Sequence, residues 1–316
     1  MKKILFGLLV ILLAIILSVY ILIPASLKVS NVIIVNCTIN GTNRYLLDMA
    51  GWYKWWPGED TKKTSLPDAN TSFIYKGFSY RILRPLYNGF EMLAEHDGRK
   101  IKSVLHDFAL SKDSVAIQWQ YTIKTSLNPF TRWQQYRQAE SMKINMGDLL
   151  VHLQAFLVKR VNVYGIDIQE IFARDTTLIA TTQDYEAYPE VIKIYALIGK
   201  LKKHVIAEKA IQTNYPMLHV RKRDDGRFEA MVAIPINRPL PENRDMFNKR
   251  FVPWKTLVAE TKGGVHTVGQ AYKKMALFVE DYQRIPMAIP FELLITDRSI
   301  EPDTLKWVSV ICQPVS

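Results

Sequence analysis

Pro290-Phe291-Glu292-Leu293-Leu294-Ile295-Thr296-Asp297 decides how the second half of this chain is read. Alternation places Phe291, Leu293 and Ile295 on one face of a strand and Glu292, Leu294 and Thr296 on the other. The stretch follows a helix-spaced segment, capped at Thr267, whose apolar face is Val268, Ala271, Tyr272, Met275, Phe278 and Tyr282. Ahead of that helix Phe251 to Glu260 reads as a strand, and Leu305–Pro314 closes the unit. The same order occurs once before. Ile168 to Thr182 is strand-like, and Pro189 and Glu190 open a helix with the apolar face Val191, Ile194, Tyr195, Ile198, Leu201 and Val205. Met217–Arg223 and Phe228–Ile236 follow as a hairpin around Asp224-Asp225-Gly226. Pro216 and Pro290 precede matching strands, and the second copy has the longer hairpin loop, Ser299 to Thr304. A strand-helix-strand-strand unit covers one side of its sheet, so two copies about a pseudo-twofold axis are expected to form a cleft. The first-copy position matching Glu292 is the apolar Leu218.

Gly263-Gly264 before the second helix, the Pro290–Asp297 strand and the terminal Val308-Ser309-Val310-Ile311-Cys312-Gln313-Pro314-Val315 carry a resemblance. The pattern is similar to the GyrI-like bacterial effector-binding domain over about residues 168–316. The resemblance implies that Glu292 sits in a central cleft and contacts cationic or aromatic ligands. It also implies an alternative, because some members are proposed hydrolases that pair this glutamate with a tyrosine. Here Gly264-Val265-His266 puts a histidine where that tyrosine would stand, which sets the Tyr–Glu pair aside and leaves ligand binding intact. Read from the residues alone, Glu292 lies either on an exposed strand face or among apolar and aromatic neighbours as a lone carboxylate. A desolvated carboxylate without a partner raises its own pKa or recruits a cation. Trp254, Tyr272, Phe278 and Trp307 are candidate walls of a ligand site, since aromatic faces favour cations. His266 is the candidate acid/base partner of Glu292 under the alternative, a hydrolase or detoxifying enzyme acting in the same cleft.

The preceding region, residues 28–165, has a different order. Val29 to Thr38 reads as a strand, Asn40 to Met49 as a short helix, and Gly51-Trp52-Tyr53-Lys54-Trp55-Trp56-Pro57-Gly58 as an aromatic turn. Strand-like runs then fall near Ser72–Tyr80, Tyr80–Leu86, Gly89–Glu95, Lys100–Leu110 and Ser114–Thr125, separated by Asn88-Gly89, Asp97-Gly98 and Lys112-Asp113. Thr131 is placed to cap a long helix with the apolar stripe Met142, Met146, Leu149, Leu150, Leu153, Phe156 and Leu157. A curved sheet around one long helix is expected to leave a concave apolar space, where small ligands bind. The opening strand, Leu46-Leu47-Asp48, the tryptophan run and the long helix resemble the SRPBCC (START-like, polyketide cyclase/dehydrase) superfamily over roughly residues 29–163. The resemblance implies a helix-grip fold and says little of chemistry. Trp52, Trp55 and Trp56 read as a packed lid or core corner rather than a ligand-stacking surface.

Lys2 and Lys3 precede an apolar run from Ile4 to Pro24, which meets the roughly 20 residues needed to span a bilayer. Pro24-Ala25-Ser26 is a poor cleavage site, so an uncleaved anchor is expected. The lysine pair places the N-terminus inside and the body on the extracytoplasmic, periplasmic side. The chain of 316 residues is 48% hydrophobic and 22% charged, which excludes intrinsic disorder as its main state. Its net charge of +11 is spread along the chain, so no nucleic-acid partner is expected. Two cysteines, Cys37 and Cys312, exclude a disulfide framework, and the six histidines form no zinc-spaced pair. The expected organisation is α+β: a transmembrane anchor at 1–27, a START-like domain at 28–165 and a duplicated GyrI-like domain at 166–316. The expected partner is a hydrophobic or amphipathic, cationic small molecule, with no cofactor and no metal.

Overall fold

A computed structural model describes residues 2–58, 71–173, 177–250 and 255–316 and divides the chain into two units, Met1–Lys159 and Arg160–Ser316. Both units mix helices with an antiparallel sheet, an α+β arrangement.

The first unit opens with helix α1 (Lys2–Leu22). It is long and apolar enough to cross a membrane, a test of length and composition that a signal sequence passes as well. Most of its large apolar side chains are exposed. The chain then forms β1 (Ser26–Val35), α2 (Ile39–Leu46), α3 (Met49–Trp55), β2 (Ser72–Tyr75), β3 (Phe78–Leu86), β4 (Gly89–His96), β5 (Arg99–Ala109), β6 (Val115–Lys124) and α4 (Pro129–Leu157). The strands make one six-stranded sheet in the order β1-β6-β5-β4-β3-β2, with β1 closing on β6.

Local chemistry explains where these elements start. The Thr38 hydroxyl accepts from the Gly41 amide (3.0 Å) and caps α2. Asp48 caps α3 by accepting from the Ala50 amide (3.0 Å), so the tryptophan stretch is a helix where the sequence predicted a turn. Gly51 is needed there because a Cβ would come within 2.8 Å of the Tyr45 backbone. Lys76 and Gly77 both have positive φ, the signature of a tight hairpin turn, and they split the predicted strand Ser72–Tyr80 into β2 and β3. The long helix α4 is capped by Asn128, which accepts from the Phe130 and Thr131 amides, with Pro129 in the first turn; Thr131 is thus inside the helix rather than its cap.

The second unit contains α5 (Arg160–Tyr164), β7 (Gln169–Phe172), β8 (Thr177–Tyr185), α6 (Val191–Ala207), β9 (Met217–Lys222), β10 (Phe228–Pro235), β11 (Phe247–Arg250), β12 (Lys255–Lys262), α7 (Val265–Asp281), β13 (Phe291–Leu294) and β14 (Val308–Pro314). The eight strands form one sheet in the order β11-β8-β10-β9-β13-β14-β12-β7. The predicted duplication is visible in this order: β8-β10-β9 is mirrored by β14 and β12 about the β9–β13 seam. At the seam Glu292 pairs with Leu218 and Leu293 with Met217. Since Glu292 and Leu218 are the matching positions of the two copies, the pseudo-twofold axis passes through that pair.

The edge strands are exchanged. β7 precedes the first copy yet pairs with β12 of the second, and β11 precedes the second copy yet pairs with β8 of the first. Each copy therefore lends a strand to the outer edge of the other, which satisfies backbone groups that an isolated copy would leave unpaired. The sequence predicted one strand over Ile168–Thr182, which the structure divides into β7 and β8.

Helices α6 and α7 cover the same face of this sheet. Ile194, Ile198, Leu201 and Val205 of α6 pack with Leu218, Val232, Ile234 and Leu294. Val268 and Ala271 of α7 pack with Ile311. Full burial of one such side chain is worth about 1.5–3 kcal/mol, so these stripes hold the helices in place. Met217, Ala233, Leu178, Phe291 and Cys312 form a separate cluster on the opposite face.

Candidate functional site

Glu292 stands on β13, at the centre of the eight-stranded sheet and on its helical face, because its neighbours across the ladder are Leu218 and Ile311. It is 3% exposed. This is the buried alternative of the two that the sequence left open, but the carboxylate is not alone.

Arg298 reaches back from the loop after β13. Its Nη2 donates to Glu292 Oε1 and to the Ser309 hydroxyl (2.6 Å), and that hydroxyl in turn donates to Glu292 Oε1 (2.6 Å). Ser309 belongs here for a reason of register: it pairs with Leu294, two residues along β13 from Glu292 and on the same face. The guanidinium carbon lies 4.9 Å from the centre of the Trp307 ring, so Arg298 is held by a carboxylate on one side and an aromatic face on the other. The Trp307 indole is itself fixed by donating to the Glu301 carbonyl (2.8 Å). The side chains of Arg298 and Glu292 are 4% and 3% exposed, and a pair so dry relies on its hydrogen bonds to offset desolvation.

Three tyrosines stand around this pair. The Tyr195 hydroxyl of α6 donates to the Thr296 carbonyl (3.1 Å) and accepts from the Arg298 amide (2.8 Å), which pins the loop onto the helix. Burial raises the Tyr195 hydroxyl above its ordinary pKa. Tyr188, ahead of α6, is raised by burial and then by the charge of Glu292. Tyr272 of α7 is raised well above its ordinary value by the same two causes in the same order. All three are therefore neutral aromatics at physiological pH.

Of the residues singled out from sequence, the structure brings Glu292, Tyr272 and Trp307 together. Phe278 lies elsewhere: it stacks on Tyr282 (4.3 Å between ring centres), meets Tyr164 edge-on (5.1 Å) and lies under Arg160 (5.3 Å). Trp254 is outside the described residues. His266 is exposed in the first turn of α7, and among the described residues no hydrogen bond or ion pair joins it to Glu292. Arg298, Ser309, Tyr188 and Tyr195 were missed. The signal for Arg298 was the longer second-copy loop, which in this geometry carries a cation back over Glu292.

Among the described residues of the first unit, large side chains occupy the space where an apolar hollow was expected, and an open depression of about 340 Å³ lies beside Asp97, Arg99, Trp133, Gln134, Arg137 and Gln138. Trp52, Tyr80, Trp119, Met92, Met142, Met146 and Leu149 are all buried between the sheet and α4. The three tryptophans are structural: Trp52 donates to the Leu46 carbonyl (2.8 Å), Trp55 to Tyr45 (3.0 Å) and Trp56 to Ile74 (3.0 Å). A cavity beside Phe78, Ala94, Ile101 and Met142 measures about 10 Å³, at the limit for a single water. Among the described residues no cluster of His, Cys, Asp or Glu could hold a metal ion. Cys37 and Cys312 are buried thiols, and burial pushes Cys312 up to about 12.

No protein-family model and no curated protein matches this sequence. Solved structures to which the chain is similar include EcmrR in its DNA complex (15% identity, 60% of this chain and 72% of that chain, TM-score 0.43). SAV2435 bound to tetraphenylphosphonium is another (19% identity, 48% of this chain and 94% of that chain, TM-score 0.32). A third is a hydrolase from Listeria innocua (9% identity, 47% of this chain and 91% of that chain, TM-score 0.35). Similarity at this level assigns no ligand, DNA or reaction to this chain.

Proposed function

We propose that this chain is a membrane-tethered small-molecule binding protein whose second unit accepts hydrophobic or amphipathic cations at Glu292. In this reading Ile4 to Pro24 anchors the chain with its body on the extracytoplasmic side, a START-like domain follows, and a GyrI-like effector-binding domain carries the site. The observation that carries the reading is the placement of Arg298. A buried carboxylate, a serine hydroxyl and a tryptophan face hold a planar cation, and tyrosines from both helical sides enclose it. That is the chemistry an aromatic or quaternary cation would need, already assembled and occupied by a side chain of the same chain. Arg298 sits on a loop rather than a strand, and an exogenous cation would have to displace its guanidinium from Glu292. The neutral tyrosines give the walls polar contacts without adding charge.

The test uses the full chain in nanodiscs of neutral lipid, with tetraphenylphosphonium as probe and retention of folding followed by circular dichroism. Arg298→Ala vacates the box and is expected to tighten binding at least tenfold. Adding Glu292→Gln in that background is expected to abolish the gain. Equal binding by the parent and Arg298→Ala proteins would overturn the assignment.

A further inference from the structure

The second unit has another concavity, on the sheet face opposite Glu292. Its volume is about 330 Å³, the size class of small-molecule sites, and Leu178, Met217, Met231, Ala233, Met287 and Phe291 line it. Strand alternation explains the separation: Phe291 and Met217 point away from the helices, whereas Glu292 and Leu218 point toward them. Three of these walls are methionines, whose unbranched, polarizable side chains adapt to irregular apolar shapes.

The polar groups at this cavity carry one sign. Lys249 and Arg250 of edge strand β11 line it, and neither forms an ion pair among the described residues. Lys249 Nζ rests 3.4 Å from the Met231 sulfur, an apolar partner for a charged group. His219 adds a ring nitrogen, with Nδ1 2.6 Å from the Pro290 carbonyl oxygen. Burial holds this imidazole below its ordinary pKa, and the charges of Arg221 and Lys249 act in the same direction. The carboxylate on the adjoining part of the face, Glu229, is taken up by Arg221 through two hydrogen bonds (2.9 and 3.1 Å). Among the described residues, the remaining charge at the cavity is therefore positive and has no ion-pair partner.

We propose that this cavity binds an amphipathic monoanion, a medium-chain acyl carboxylate, with its chain among Met217, Met231, Met287 and Phe291 and its carboxylate on Lys249, with the exposed Arg250 at the rim. Such a ligand satisfies both halves of the lining, since the apolar walls favour the chain and the cations, unpaired among the described residues, favour the headgroup. The site is separate from the Glu292 box in face, lining residues and sign of charge, so it stands whether or not that box binds cations.

The test is photolabelling of the full chain in nanodiscs of neutral lipid with a diazirine-bearing decanoate, followed by peptide mapping. Labels are expected on peptides containing Met217, Met231 or Met287. Unlabelled decanoate should compete at least tenfold better than decyltrimethylammonium, which has the same chain and the opposite charge. The double variant K249Q/R250Q, altered at edge-strand side chains outside the apolar core, should lose at least tenfold in labelling. Equal competition by the two amphiphiles, unchanged labelling of the double variant, or labels confined to other peptides would each overturn the proposal. The competition arm uses the parent protein and so holds even if the variant folds poorly.

Discussion

Asp107 in the first unit and Glu292 in the second are both carboxylates on sheet strands, 2% and 3% exposed, and they meet burial in opposite ways. Among the described residues neither oxygen of Asp107 has a hydrogen-bond partner by distance and angle, and burial, partly opposed by its own backbone amide, pushes its carboxyl up to about 6. Glu292 is ligated by Arg298 and Ser309. A buried carboxylate without a cation in reach is harder to ionise, as Asp107 is, whereas Glu292 has a guanidinium and a hydroxyl against it. What separates the two is neither strand nor depth but a loop: the segment after β13 returns an arginine over its own strand.

The largest effect expected from this contrast comes from giving the second copy the residue of the first. Glu292→Leu leaves Arg298 buried without its counter-charge, and about 3–5 kcal/mol of stability should be lost in urea denaturation of the full chain. Removing both charges, as Glu292→Leu with Arg298→Met, should return the stability to that of the parent or raise it by about 1–4 kcal/mol. A double variant as weak as the single one would show that the pair is not what the loop supplies.

Asp107→Asn turns the contrast around. Because the folded-state pKa lies above the ordinary value near 3.9, the parent's stabilisation by this group is complete below that value and disappears as pH rises through about 6. The neutral amide lacks this dependence, so the variant should be the more stable protein at pH 7, with the gap closing toward pH 4. Melting temperatures across that range check it, and parallel curves would rule out an ionising Asp107 as the cause. The smallest effect belongs to His219, a buried base with the reverse sign. Its lowered pKa means that stability present above about 6.5 is lost as pH falls below it, and His219→Gln should flatten that part of the profile.

The duplicated unit was legible because its signals are local. Period-two alternation along Phe291–Leu294 put Glu292 and Phe291 on opposite faces, with Glu292 in the Arg298 box and Phe291 in the wall of the methionine-lined cavity. Helical spacing found α6 and α7. Phe278 was placed wrongly by the same reasoning, because an apolar helical stripe is wide enough to serve two neighbours and spacing does not say which one each residue meets. The tryptophan segment read as a turn from its glycines, whereas Asp48 starts a helix and Gly51 is required by close packing against Tyr45. Asp48 was the available signal, as an N-cap residue directly before an apolar run.

The sequence by itself determined the longer helices, most of the strands, the two copies and the alternation of faces along each strand, since these follow from backbone geometry acting over a few residues. Tertiary structure decided what each face meets. It set the exchange of β7 and β11 between copies, the filling of the first unit by Trp52 and Trp119, and the capture of Glu292 by an arginine from its own loop. Those outcomes depend on which groups reach one another once the chain has closed. A carboxylate's charge is fixed by the cation within a few ångströms, whatever its distance along the chain.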